Sequence, residues 1–414
     1  STAYEASLRY MLQATALLEE RSWEEHYTLT FHVFRERTEL EYLCSHFETA
    51  NDLFHLLIDK AATLLDKAYV YAMKIQLEAS NDNYEEVISL GRHTLSLLKV
   101  KHQFDPSQVQ LTLQWLRLKR RLQSVTLESL TLLPPMTDEA RKIAMSTLDH
   151  TSNACFYVNR KGWLASSFTM IELTLDYGMT PEACIGFIGY AMFQYYHFRN
   201  DEETFKWGML ACSLSKPFPM LHVRTLSAFS MCYDSWRRYD PAMLHMFTEN
   251  AGKVGLESGD LWQANQSILI NCASLLQFGH PLSDIYNRLI SHSGDLLRHN
   301  NSLHCKQAIV AVAVLVRLTG DRSVDDPFNI AEIHDADFAQ FVHGDTFHMI
   351  EDIVYVYQYF TGYLYGEYRE ANEALLKSDM IIASREDKTK SAMQMMFESL
   401  VWTQLYEEST AEEQ

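Results

Sequence analysis

Turn-forming residues are scarce in this chain: 15 glycines and 9 prolines are spread over 414 residues. Folds assembled from short strands need turn signals at roughly 8–12-residue spacing, so this scarcity argues against β-sandwiches and βαβ units. It favours long helices joined by short links. The seven cysteines (Cys44, Cys155, Cys184, Cys212, Cys232, Cys272, Cys305) are odd in number and widely spaced, and none forms a Cys-x-x-Cys pair. That pattern supplies neither a disulfide framework nor a zinc site, and it predicts small buried hydrophobes in a reducing compartment. The longest apolar run, Ala308 to Val316, has nine residues, against the roughly 20 needed to cross a bilayer. No secretory leader opens the sequence, so a soluble, cytoplasmic protein without membrane insertion is expected.

Catalytic grammar is lacking too. There is no Gly-x-x-x-x-Gly-Lys-Ser/Thr loop, no strand-linked Gly-x-Gly-x-x-Gly, no His-Glu-x-x-His and no Gly-x-Ser-x-Gly elbow. These motifs depend on backbone geometry that other residues reproduce poorly. No catalytic residue, cofactor or metal is therefore expected, and the chain reads as a non-enzyme.

Positive charge is in deficit, with 35 basic against 54 acidic side chains and a formal net charge of −19. A surface this acidic repels phosphate backbones, so nucleic acid is not an expected partner. The one basic run, Arg117, Lys119, Arg120 and Arg121, shares a helical stretch with Trp115, Leu118 and Leu122 and reads as a solvated helix face. Hydrophobic residues at 47% and charged residues at 21% are ordinary for a folded domain.

What is present is helical periodicity. Trp23, Tyr27, Phe31, Phe34 and Thr38 recur at steps of three and four, as do Ala50, Leu53, Phe54 and Leu57 on the next segment. Leu65, Ala68, Ala72 and Ile75 mark a third helix, and Tyr84, Val87, Ile88, Gly91, Leu95 and Leu98 a fourth. Gly91 costs helix propensity unless a neighbouring backbone approaches closely there. Leu133-Pro134-Pro135-Met136-Thr137-Asp138 interrupts the pattern, with Thr137 as the expected N-cap. Two continuous arrays are accordingly predicted, 1–133 and 134–414. Thr180 before Pro181 and Asp240 before Pro241 mark further helix starts, and Gly255 to Asp260 reads as a helix-ending turn. Tyr355, Tyr357 and Tyr359 alternate, but Ile350, Val354, Phe360 and Tyr363 extend the run as a buried helix.

Four places repeat one local pattern, a polar turn followed by an aromatic or acidic residue and an apolar one. They are Leu43 to Ala50, Asn81 to Val87, Asn200 to Phe205 and Tyr365 to Ala371, with Phe47 and Tyr84 standing 37 positions apart. Tetratricopeptide-like hairpins begin their second helix in this way. The fold expected is all-α: a TPR-like α-solenoid of stacked antiparallel hairpins in a right-handed superhelix.

Polar and aromatic clusters supply the candidate sites. His334, Asp335, Asp337, His343, Asp345, His348, Glu351 and Asp352 form the densest polar group. A solvated loop leading into a helix explains it, and a metal-dependent enzyme is the competing reading. Aromatics at Phe193, Tyr195, Tyr196, Phe198 and Trp207, and from Tyr355 to Tyr368, suit inter-helix packing, with a ligand groove as the alternative. Asn265, Asn271 and Gln277 lie along one helical stretch; they read first as polar residues on an exposed face, and the alternative is a clamp on a peptide backbone.

The ordered set resembles one known segment. Glu41-Tyr42-Leu43, His46 to Ala50, Leu65 to Ala68, Leu133 to Asp138, Tyr177-Gly178, Trp207-Gly208, Ser235-Trp236-Arg237, Gly255 to Asp260, Leu318-Thr319-Gly320 and Tyr365 to Tyr368 occur in sequence order. Together they are similar to the helical-repeat region of large signalling proteins. In those proteins a serine/threonine kinase-like domain and an AAA-type STAND ATPase precede the repeats, and GAF, histidine-kinase or other output domains follow. Asp234-Ser235 departs from the family's His before Trp-Arg. The resemblance implies a regulatory or sensor module without catalytic residues, a segment of something longer, coupled to attached domains of the same chain. Its ligand, a protein, peptide or small molecule, is assigned to Tyr195, Tyr196, Trp236, Arg237, Asn265 and Asn271. The alternative is a freestanding scaffold for protein–protein interaction, and self-association is compatible with either.

Overall fold

The computed structural model describes residues 2–19, 21–79, 83–232, 241–297, 303–320, 327, 349–384 and 392–412. The regular elements among them are helices, and the isolated bridge between Pro135 and Met179 is the one pairing of extended backbone in the described residues. The fold is all-α. Two compact units divide the chain, Ser1–Gly189 and Tyr190–Gln414.

In the first unit lie α1 (Thr2–Ala16), α2 (Ser22–Glu25), α3 (Tyr27–Leu43), α4 (Phe47–Lys60), α5 (Leu64–Ala79), α6 (Tyr84–Leu97), α7 (Gln108–Leu122), α8 (Leu127–Thr131), α9 (Glu139–Val158) and α10 (Arg160–Tyr177). The division falls within α11 (Ala183–Phe193). Successive helices pack on one another: α3 on α4, α5 on α6, α9 on α10. Helices joined by a few residues and packed along their length run antiparallel, which makes each pair a hairpin.

The turns explain two copies of the repeated sequence pattern, those at Ser45 and Gly366. At Ser45, φ is +67°; its N–H donates to Tyr42 C=O (2.8 Å) and the next N–H, of His46, to Glu41 C=O (2.8 Å). This is the paired bonding of a Schellman cap, which satisfies the last carbonyls of a helix. Lys99, Gly279 and Gly366 repeat it with φ of +53°, +73° and +76°, through Val100 N–H to Leu95 C=O, His280 N–H to Leu275 C=O and Glu367 N–H to Gly362 C=O. Around Ser45 the side chains reinforce the cap. Buried Glu41 accepts from Arg37 Nε (3.2 Å) and meets His46 Nδ1 at 2.7 Å, while Phe47 stands edge-on to Tyr42.

The core of the first unit begins with Phe31, Phe54, Leu57, Val70, Met73 and Leu77. Tyr42 Oη donates to Leu77 C=O (2.7 Å), tying α3 to α5. The stripe through Trp23 is broken at His26 (φ −134°), but Trp23 still packs on Phe34 at 5.0 Å between centroids. Between α6 and α7 the chain runs without helix from Lys99 to Pro106 and inserts Phe104 as a fully buried ring. At Gly91 a Cβ would overlap Thr151 Cγ2 and crowd Phe104, so it is neighbouring side chains rather than backbone that require glycine there. Asn159 Nδ2 donates to Phe104 C=O (2.9 Å) and to Asp105 Oδ1 (2.6 Å), which fixes the insert to α9.

Two predicted helix starts move, by one and by two residues. Asp138, not Thr137, caps α9, its carboxylate accepting from Arg141 N–H. α11 starts at Ala183, beyond Pro181, with Ala183 N–H bonded to Thr180 C=O. The Pro134-Pro135 segment lies inside the first unit, where Met179 N–H donates to Pro134 C=O and Met136 N–H to Met179 C=O. Arg121 of the basic run pairs with Asp176 at 2.5 Å, and Lys119 sits over the Trp115 ring.

In the second unit a π-helical turn (Gln194–Phe198) is followed by α12 (Asp201–Ser215), α13 (Pro219–Ser230), α14 (Pro241–Ser258), α15 (Leu261–Gln277), α16 (Leu282–Ser291), α17 (Ser293–Leu296), α18 (Leu303–Thr319), α19 (Met349–Tyr365), α20 (Tyr368–Ser384) and α21 (Ala392–Glu412). Asn200 caps α12 by accepting from Glu203 N–H, as the third copy of the pattern requires. α14 and α15 form a close hairpin in which Ala264 lies directly over Gly255. α19 and α20 form another around Tyr359, Ala371 and Leu375, with Phe397 of α21 packed on it. The tyrosine run is helical throughout. Tyr359 is fully buried, and Tyr365 lies at the surface with its hydroxyl on Arg317 C=O (2.6 Å).

Candidate functional site

Five helices of the second unit surround a cavity of about 530 Å³, within the roughly 300–1,000 Å³ of small-molecule sites. Each wall is a helical stripe. α15 contributes Gln266, Leu269, Ile270, Cys272, Ala273 and Leu276; α16 contributes Ile285 and Leu289; α18 contributes Gln307, Ala311 and Leu315. Ile353, Val356, Tyr357 and Phe360 come from α19, and Met396 and Phe397 from α21. Steps of three and four on each helix bring these residues to one face. α15 and α18 also bury Ile268, Leu275, Cys305, Ala308 and Val312 in an apolar core, which Leu296 of α17 joins. Leu269, Cys272, Ile285, Leu289 and Leu315 belong to both core and lining, so the same core that packs these helices also forms part of the cavity wall.

Three polar groups interrupt the apolar lining. Gln266 Oε1 meets His304 Nε2 at 3.1 Å. One turn further along α18 stands Gln307, only 8% exposed, whose side-chain amide has no hydrogen-bond partner among the described residues. Tyr357 packs against the pair formed by Val310, one turn beyond Gln307, and Val354. Burial pushes the Tyr357 phenol up to about 12, with Cys272 adding to it, and pushes the Cys272 thiol up to about 12. Burial also drives His304 down to about 4, so its ring is neutral near pH 7. Trp262 stands edge-on to that ring at 4.7 Å. No charged side chain lines the cavity among the described residues.

The residues proposed from sequence are distributed differently. Asn271 is on α15 but on the side facing α14. Its Nδ2 donates to Thr248 Oγ1 (2.6 Å) and His245 C=O (3.2 Å) and meets His245 Nδ1 (2.9 Å). Its amide is engaged in holding that hairpin together. Asn265 is buried on the same helix and does not line the cavity. Tyr195 and Tyr196 lie on the π-helical turn, ring to ring at 5.0 Å, with the Arg199 guanidinium over Tyr195. Neither lines the cavity. Trp236, Arg237 and the His334–His348 stretch lie outside the described residues. Among the described residues no three His, Cys, Asp or Glu side chains gather as a metal site, and no helix is long and apolar enough to cross a membrane.

Tyr357 was within reach of sequence reasoning as part of the tyrosine run. Gln266 and Gln307 were not. The one signal was Gln307 standing four residues before Ala311, and eight before Leu315, on an otherwise apolar stripe.

No protein-family model matches this chain, and no curated protein matches it. Among solved structures it is similar to the crystal structure of a Signal Transduction ATPase with Numerous Domains (STAND) protein with a tetratricopeptide repeat sensor from Pyrococcus horikoshii. The two are 12% identical, with a TM-score of 0.38, over 77% of this chain and 49% of that one. The chain thus spans about half the length of that protein, and a likeness of this degree assigns neither ligand nor partner to it.

Proposed function

We propose that this chain is a non-enzymatic regulatory module of the helical-repeat type, which binds a ligand in its second unit and passes occupancy on to attached ATPase, kinase or output domains. The cavity carries this reading. Five helices converge on a space with apolar walls and a few polar groups, the usual composition of a small-molecule site. Each wall helix also belongs to a packed hairpin, so a ligand favouring one arrangement of α15, α18 and α19 biases the packing of the repeats around it. The ordered sequence motifs shared with STAND-type repeat regions support the coupling.

The native gene supplies the first test. An ATP-binding loop encoded upstream of Ser1 is the expected result, and a native start near Ser1 with no adjoining domain removes the coupling. In the full-length polypeptide, Ala311→Trp fills the cavity and is expected to change the ATPase or output activity at least twofold. An unchanged rate with an intact fold defeats the proposal.

A scaffold for protein partners is the second reading. Met380 on α20 and Met395, Trp402 and Tyr406 on α21 favour it, since all four are exposed and apolar surface of this kind serves protein contacts.

A further inference from the structure

We infer that the cavity accepts an uncharged amphiphile, a compact hydrocarbon body carrying one amide, alcohol or ketone group that hydrogen-bonds Gln307, Gln266 and Tyr357. This rests on reading the cavity as a ligand site and specifies what enters it.

The walls fix the body of the ligand. Leu269, Ile270, Leu289, Leu315, Ile353 and Phe360 offer only dispersion contacts and displacement of water. The polar groups fix its head. Gln307 is more than nine-tenths buried, lines the cavity and has no hydrogen-bond partner among the described residues. Buried amides in proteins are satisfied as a rule, so this one is placed for a partner that arrives from the cavity. A primary amide both donates and accepts. Gln266 uses Oε1 toward His304 Nε2 and keeps its amide N–H groups for a second acceptor. Tyr357 of α19, which also lines the cavity, carries a hydroxyl.

Charge is excluded by the same inventory. No Lys, Arg, Asp or Glu lines the cavity among the described residues. Arg288, whose charge is felt at Cys272, does not line it and lies 3.8 Å from Glu249. A carboxylate or ammonium brought here would be desolvated without a counter-ion, which is strongly unfavourable. With His304 held neutral and Tyr357 and Cys272 kept protonated by burial, the lining itself stays uncharged at neutral pH. Among straight-chain molecules of one length, then, the head group decides binding.

The test uses N-phenyl-1-naphthylamine, an uncharged dye whose emission rises in apolar sites, with 1-decanol, decanamide, decanoate and decylamine as competitors at pH 7. The dye is expected to bind the wild-type chain. Decanol and decanamide should displace it at concentrations at least tenfold below those of decanoate and decylamine. Gln307→Leu keeps the bulk but removes the amide; it should weaken decanamide about fivefold to tenfold, more than it changes the dye. Ala311→Trp, and Ala273→Phe on α15 as an independent variant, should abolish dye binding while circular dichroism stays that of the wild type. If decanoate competes as well as decanol, the uncharged-ligand inference falls and the ligand site stands. Unchanged decanamide affinity in Gln307→Leu overturns the role of the amide. If the dye does not bind, or still binds both filled variants, the reading of this cavity as a ligand site is itself overturned.

Discussion

The two units treat the space between their helices in opposite ways. In the first, a non-helical insert pushes Phe104 into the core, where the ring meets Gly91 and its backbone carbonyl crowds Gly162. His102 beside it meets Thr169 Oγ1 (3.0 Å) and Ser166 Oγ (3.2 Å), so both ring nitrogens find hydroxyls within the unit. In the second, α15, α16, α18, α19 and α21 leave about 530 Å³ between them, and Gln307 faces that space without a partner among the described residues. One unit fills the space between its helices with its own ring; the other leaves a cavity there.

The contrast can be broken most forcefully at Phe104. Phe104→Ala removes a fully buried ring and should cost about 3–5 kcal/mol, read as a lower midpoint in urea. A cost below about 1 kcal/mol would mean that the insert is not part of the core.

Acid provides the next test. Burial, with the nearby Arg92 charge, drives His102 from 6.5 down to about 3, and burial drives His304 down to about 4. Both folded values lie below the unfolded one, so their contribution is fully present above pH 6.5. It declines as the unfolded chain takes up protons that the folded chain refuses, until pH reaches the folded values. Urea midpoints should fall over that window, to about 3 for His102 and only to about 4 for His304. His102→Gln and His304→Gln should each flatten the slope over their own window, and a slope equal to wild type refutes the assignment.

Filling the second unit should act in the reverse sense from emptying the first. Ala273→Leu adds apolar volume on a cavity wall and is expected to stabilise by about 1 kcal/mol; a loss of stability would show that the wall has no room. Smallest of all is Arg121→Ala. It breaks an exposed pair with Asp176 and should change stability by less than about 0.5 kcal/mol, measured by thermal unfolding.

Helices were legible because apolar residues repeat at steps of three and four, a property of local sequence. The tyrosine run shows the strength of this: alternation at Tyr355, Tyr357 and Tyr359 suggested a strand, yet the longer period decided for helix. Turns were legible where glycine marks them, at Gly259 and Gly366, but not at Lys99, whose left-handed φ of +53° a lysine does not advertise. Asn271 was visible as a polar residue on a largely apolar helix, but its partner Thr248 stands 23 positions away. Long-range pairing of that kind leaves no periodic trace. The cavity was least legible of all, because it is defined by where side chains from five helices stop short of one another. Only Gln307, out of place on its stripe, carried a trace of it.

One consequence follows from the segment between Lys99 and Pro106. Stretches without helix are the usual places to cut a chain, graft a tag or open a permuted terminus. This one is poorly suited to all three. Phe104 is threaded into the interior and Asn159 holds both the Phe104 carbonyl and the Asp105 carboxylate, so proteases should pass over it and an inserted loop would have to unthread the unit to be accommodated.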